Sequence, residues 1–262
     1  ALSSLRTFCA GASDGSGVCS GDSGGGLFIK FNNAFYLRGI VSSSLVSNYL
    51  CDVNSYAVFT NALKYRDWIK SKGTVAVNSE CGVMSASTGL IQGGEFSSRK
   101  EFPWTASVVI KDGAFDSSGV LVSARHVVTQ PASVSACNET TCDPNALDRV
   151  KVYFAALRHA DSTSVFNAIK IVLHPHLRVV EGTKMNNVAV ITLDRSVQFN
   201  EFIRPVCLWT FSDNLSLIAN SPTFGVGYGT DWSGKYSNIK KHVRVKLVDD
   251  GTCFKYYSDI PT

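Results

Sequence analysis

The segment Cys19-Ser20-Gly21-Asp22-Ser23-Gly24-Gly25-Gly26-Leu27 carries the most specific chemistry in the chain. A serine flanked by glycines can be presented on a tight turn. The backbone N–H groups of Gly21 and Ser23 can then point at one oxyanion, as acyl transfer requires at its tetrahedral stage. A bare Gly-x-Ser-x-Gly string also suits an α/β-hydrolase, but that fold needs a strand, an elbow, a helix and many parallel βα units. A glycine-rich surface turn without chemistry accounts for neither the flanking Cys19 nor the whole string.

The elements that must position this serine are mostly strands. Residues 62–72 read as a helix, with Tyr65, Trp68 and Ile69 at i, i+3 and i+4 and Asn61 as its N-cap. Elsewhere short β-rich runs alternate with Gly, Ser, Asn and Asp, at 35–41, 105–110, 120–122, 150–155, 168–173, 188–193 and 243–248. Many short strands and little helix predict an antiparallel barrel or sandwich. Residues 73–90 are small and polar apart from Cys81 and read as a linker.

Composition sets the outer bounds. The 262 residues suffice for one or two domains, and 45% hydrophobic with 18% charged residues excludes a disordered chain. No run approaches the roughly 18 apolar residues that span a bilayer. A net charge of +4 without a basic run gives no footprint for nucleic acid. Eight cysteines without a paired Cys-x-x-Cys array argue against zinc ribbons or fingers. The chain starts at Ala1 with no apolar signal segment, the expectation for a processed product or a fragment. Asn138 and Asn214 head N-glycosylation triplets.

At the serine motif the chain resembles the chymotrypsin/trypsin-like serine proteases. Phe8-Cys9-Ala10-Gly11, the Cys19 to Leu27 string, Gly39-Ile40-Val41-Ser42, Cys51, Ala57-Val58-Phe59-Thr60 and the helix follow in the order of that family's last third. The resemblance then restarts. Ile91-Gln92-Gly93-Gly94 looks like the family's mature N-terminus, and Glu101-Phe102-Pro103-Trp104 follows. Ser118-Gly119-Val120-Leu121-Val122, Arg125-His126-Val127-Val128-Thr129, His174-Pro175, Arg204-Pro205-Val206-Cys207-Leu208 and Gly225-Val226-Gly227 continue the order as far as Cys253. The resemblance implies an all-β, chymotrypsin-like double six-stranded β-barrel in circularly permuted order, with one C-terminal-type helix at about 62–72. Residues 1–72 would be the last third of a protease domain, 73–90 a linker, and 91–262 the first two-thirds. Residues 91 to about 208 would form one barrel, and 209–262 with 1–60 the other. A window cut out of phase from a tandem array, or a true circular permutant, would give this order.

By resemblance Ser23 is the nucleophile, Gly21 shares the oxyanion hole, and Asp22 pairs with a new N-terminus after activation. A triad also needs a base to take the serine proton and a carboxylate to hold that base. The family's Thr-Ala-Ala-His-Cys is here Thr129-Gln130-Pro131-Ala132-Ser133, which puts Ala132 in the place of the base. Asn187 stands at the carboxylate position in Asn186-Asn187-Val188-Ala189-Val190. His126 reads as structural, His174 and His176 as structural or solvated, and His159 and His242 carry no motif. No carboxylate or thiolate joins His174 and His176, so neither a metal nor any other cofactor is expected. Leu90 precedes Ile91, so an Arg-specific activator would not cut there.

The resemblance also implies Cys9–Cys253, Cys19–Cys51 and Cys81–Cys207 bridges. The family's bridge beside the catalytic His would join Ser117 to Ser133 and is lost as a unit. The remaining Cys137 and Cys142 are spaced for a local hairpin bridge. Four bridges imply an oxidising, extracellular compartment and a secreted chain. The specificity pocket would be built by Gly17, Val18, Ser43, Ser44 and Ala57. It holds no Asp to receive Arg or Lys and would favour small apolar side chains. The expected function is that of a serine protease homologue that cannot complete a triad and acts by binding in an extracellular proteolytic cascade. Its partners would be cascade proteases, or protein and peptide substrates. The alternative is an active endopeptidase whose His and Asp lie upstream of residue 1.

Overall fold

A computed structural model describes residues 6–12, 14–44, 46–47, 50–52, 55–73, 75, 81–85, 95–110, 116–134, 147–155, 164–180, 183–230 and 239–257. The main strands are β1 (Thr7–Gly11), β2 (Gly26–Phe31), β3 (Ala34–Ser43), β4 (Ala57–Asn61), β5 (Thr105–Ile110), β6 (Asp116–Leu121), β7 (His126–Thr129), β8 (Val150–Phe154), β9 (Val165–Leu173), β10 (Ala189–Leu193), β11 (Thr223–Gly227), β12 (Lys241–Arg244) and β13 (Lys246–Val248). They build the double barrel of the chymotrypsin-like proteases.

The first barrel is a closed antiparallel circuit in the order β7-β10-β9-β8-β5-β6. Its inward face follows the two-residue period of a strand. Val150, Val152 and Phe154 of β8 are buried, while Lys151 and Tyr153 between them are half-exposed. A slip of one residue would turn all three apolar groups outward, so burial fixes the register.

The second barrel runs β13-β1-β4-β3-β2-β11-β12. β12 and β13 are one stretch of chain broken only at Val245. Its first half pairs with β11 and its second half with β1, and this closes the circuit around the barrel. β1 to β4 come from the start of the chain and β11 to β13 from its end. β2 pairs with β11, so the two ends share one sheet. The Cys9–Cys253 disulfide links them again, across a sequence separation of 244.

Aromatic side chains fill the seam between the barrels. Phe28 of β2 lies edge-on to Trp104 at 5.5 Å, and Phe35 of β3 meets Phe102 at 5.7 Å. Burying each such ring contributes roughly 1.5–3 kcal/mol, so the halves are held by a shared core. The stretch expected as a linker is anchored at its middle. Cys81 is buried and bonded to Cys207, and Gly82 donates its N–H to the Pro205 carbonyl at 2.9 Å.

Helix α1 (Ala62–Lys72) buries Tyr65 and Ile69. Asn61 precedes it without capping it. Its side chain accepts from Arg38 and donates to Asp213 at 3.2 Å instead. A second helix, α2 (Asp250–Tyr257), was not expected from the hydrophobic pattern. Its cap is local: Asp249 accepts from the Thr252 N–H at 2.9 Å and from its hydroxyl at 2.6 Å. β6 covers 116–121, several residues ahead of the expected 120–122. Among the described residues no helix is long and apolar enough to cross a membrane.

Candidate active site

The Ser23 loop lies in the seam between the barrels. Gly24 packs directly against the first barrel, where an added Cβ would stand 2.2 Å from Thr129 Oγ1 and 2.5 Å from the Ser118 carbonyl. Its φ of +80° is left-handed as well, so both space and backbone require glycine. Thr129 is the last residue of β7, and Gln130, Pro131 and Ala132 follow it. Ser23 therefore sits on the loop that faces residues 129–130, the start of the segment to which the resemblance assigns the base.

Asp22 is buried. Its carboxylate accepts from the Cys19 N–H at 2.8 Å and the Gly229 N–H at 2.7 Å. Burial pushes its pKa up to about 6, against the lowering effect of those two amides. The resemblance assigns a new N-terminal ammonium to this carboxylate, but two backbone donors hold it here. Leu90 and Ile91 lie outside the described residues.

Asn187 is 2% exposed and reaches across the seam. Its amide donates to Gln130 Oε1 at 2.8 Å and to Ser42 Oγ at 2.9 Å. Ser42 is presented by a register shift in β3: Val41 pairs with Phe59 and Ser43 with Val58, leaving Ser42 as the extra residue. Asn187 Oδ1 is buried with no hydrogen-bond partner. The preceding turn is held by Asn186 at φ +56°, whose Oδ1 accepts from Arg6 at 2.6 Å and Tyr65 at 3.0 Å. Ala132 lies in the 3-10 turn Pro131–Val134. Neither Gln130 nor Asn187 titrates near neutral pH, so this group of side chains offers no base to Ser23.

Of the described histidines, His174 lies nearest to this group along the backbone, its N–H donating to the Val188 carbonyl at 3.1 Å, next to Asn187. His126 Nδ1 meets Ser123 Oγ at 2.8 Å, and its ring packs where a side chain on Gly73 would go. It is three residues from Thr129, or about 10 Å along the strand. His174 lies against Tyr65 and Trp68, at 5.1 and 5.0 Å between ring centres. Burial first, and the positive charges of His176, Arg6 and Lys72 next, lower its pKa to about 4. His242 bonds Ser97 Oγ at 2.8 Å between the rings of Phe102 and Phe224. His176 is exposed, and His159 lies outside the described residues. Among the described residues no three His, Cys, Asp or Glu side chains form a metal-binding group.

The expected pocket set divides. Val18 and Ala57 are buried in the core of the second barrel, Val18 against Gly225. Gly17 is half-buried, Ser43 is exposed, and Ser44 Oγ lies 3.9 Å from Cys51 Sγ. Cys51 is bonded to Cys19 at the entry to the Ser23 loop. Asn214 is exposed and its Oδ1 accepts from the Ser216 N–H and hydroxyl at 3.0 and 2.7 Å. Asn138, Cys137 and Cys142 lie outside the described residues. Sequence reasoning missed Gln130, Ser42 and Ser118 as members of the site. Their roles come from contacts between segments far apart in the chain.

The family model described as Trypsin matches residues 4–69 and 91–261. A proclotting enzyme of Tachypleus tridentatus is 30% identical over 185 residues, 68% of this chain and 48% of that protein. Phenoloxidase-activating factor 1 of Holotrichia diomphalia is 26% identical over 210 residues, 72% of this chain and 55% of that protein. Serine protease gd of Drosophila melanogaster is 40% identical over 85 residues, 26% of this chain and 16% of that protein. The chain thus spans about half the length of the first two relatives. With the double barrel, the Ser23 loop and a family match over most of its residues, the chain belongs to the trypsin family of serine proteases.

Proposed function

We propose that this chain is a serine protease homologue that does not complete acyl transfer and acts by binding in an extracellular proteolytic cascade. The observation that carries the reading is the Asn187 amide donating to Gln130 Oε1, at the position that the resemblance gives to a base-holding carboxylate. With Ala132 at the base position, the Ser23 hydroxyl keeps its proton at neutral pH. Two relatives are named for clotting and for phenoloxidase activation, so a cascade setting rests on analogy with them. The three disulfides among the described residues support an oxidising compartment. Residues 1–72 and 91–262 are proposed as the two complementary parts of one protease domain, joined through 73–90.

The partner class is a cascade protease or its protein substrate. The test adds the purified chain to such a protease acting on its natural precursor substrate. The chain should change the rate of that step, and Ser23→Ala should change it equally. An effect lost in Ser23→Ala would mean that the chain works by hydrolysis.

A further inference from the structure

The backbone of the Ser23 loop is tied both to neighbouring elements and to itself. The Ser20 carbonyl accepts from the Thr230 N–H at 2.7 Å, and the Ser23 carbonyl from the Ser118 N–H at 2.9 Å. The Gly24 N–H donates to Val41 O at 2.9 Å, and the Gly25 N–H to Asp22 O at 2.7 Å. The Asp22 carboxylate closes the loop on itself through Cys19 and on β11's end through Gly229. It fits because Gly227 has no side chain: a Cβ there would stand 2.1 Å from Asp22 Oδ1. Lys241, the ladder partner of Gly227, is the nearby cation whose field acts on that carboxylate.

Ser118 is the residue on which these ties converge. It is fully buried in β6. Its hydroxyl donates to Gly21 O at 3.0 Å and accepts from the Tyr228 N–H at 3.0 Å, while its own N–H holds Ser23 O. One side chain thus couples the first barrel, the Ser23 loop and the 227–230 segment. All the donors and acceptors come from the continuous chain, in which Leu90 is still joined to Ile91.

We infer that the Ser23 loop is held in its presented shape by the uncut chain, with Ser118 as its positioning residue, so that a cut before Ile91 is not needed to form it. This is independent of whether the chain hydrolyses peptides. Backbone amides already in place hold the Asp22 carboxylate in the uncut chain.

Amide hydrogen exchange on the full chain reads the loop without any need for activity. Ser118→Ala should speed exchange at Asp22, Gly24 and Gly25 by about tenfold, and Ser118→Thr, which keeps the hydroxyl, should restore protection. Acceleration below about threefold in Ser118→Ala, or failure of Ser118→Thr to restore, would overturn the positioning role. A second arm leaves Ser118 alone. Ser87→Ile, Thr88→Glu and Leu90→Arg, with the natural Gly89, create a site for a protease that cuts after Ile-Glu-Gly-Arg. Exchange in the loop should change by less than about threefold when that bond is cut. A larger gain of protection would show that the loop needs the cut, and the inference would fall.

Discussion

The side-chain amide of Asn187 donates to Gln130 Oε1 at 2.8 Å, joining the loop before β10 to the end of β7. By resemblance to the family, Asn187 stands at the position of the triad carboxylate, which would orient an imidazole. Restoring the base alone should therefore achieve little. Ala132→His should remain about 10⁴-fold below Ala132→His combined with Asn187→Asp and Gln130→Ala, the family's own cost for Asn at this position. Turnover of peptide esters by the two uncut variants checks the ratio. Equal rates would mean that Asn187 and Gln130 do not control the base.

Arg38 is fully buried in the second barrel, and its charge is met by Asp213 at 2.9 Å, which also takes Lys64 at 2.6 Å. Removing Asp213 leaves a guanidinium buried without its carboxylate. Asp213→Ala should cost about 3 kcal/mol, at the low end of the range because Asp213 is 38% exposed. Lys64→Ala removes only a surface partner and should cost under about 1 kcal/mol. Urea denaturation of the two variants measures the order, and equal losses would contradict it.

Cys9–Cys253 ties β1 to α2 across 244 residues of chain. Replacing both cysteines by serine should cost roughly 3–5 kcal/mol, through the greater freedom of the unfolded chain. Equilibrium unfolding under non-reducing conditions reads this loss. A change of less than about 1 kcal/mol would mean that the β1–β13 pairing suffices to join the chain's two ends.

What could be read from the sequence depended on how local the signal was. Tyr65, Trp68 and Ile69 mark α1 through helical spacing alone. Helix α2 carries Gly251 and Thr252 near its start and lacks such a stripe, so its signal was the cap at Asp249. Asn61 had a capping side chain in the right place, but Arg38 and Asp213 compete for it, the latter from 152 residues away. The resemblance assigns Val18 and Ala57 to the specificity pocket, and their burial in the second barrel follows from register and packing that no local pattern announces. The Asn187–Gln130 bond joins residues 57 apart, and no local pattern announces it.

His174 and Asp22 impose opposite pH dependences. His174 stays neutral in the folded chain down to about pH 4, while an unfolded His charges below about 6.5. The stability it contributes above 6.5 is lost as pH falls towards 4. The Asp22 carboxyl keeps its proton up to about pH 6 when folded, against 3.8 otherwise. Its contribution is full below 3.8 and is lost as pH rises through 6. His174→Gln should therefore shrink the loss of Tm between pH 7 and pH 5. Melting curves of both proteins at the two pH values test this, and an unchanged loss would exclude His174 as the cause.

Turnover of small-apolar peptide esters by the unmodified chain, run alongside fluorophosphonate labelling of Ser23, tests most directly whether a base reaches Ser23. With Ala132 and Asn187 in place, hydrolysis should stay within roughly 10³–10⁴-fold of the rate in water, as expected for an oxyanion hole and binding alone. Labelling should be correspondingly slow. Turnover at the rate of an ordinary protease, abolished by Ser23→Ala, would contradict the proposal and place a working base beside Ser23.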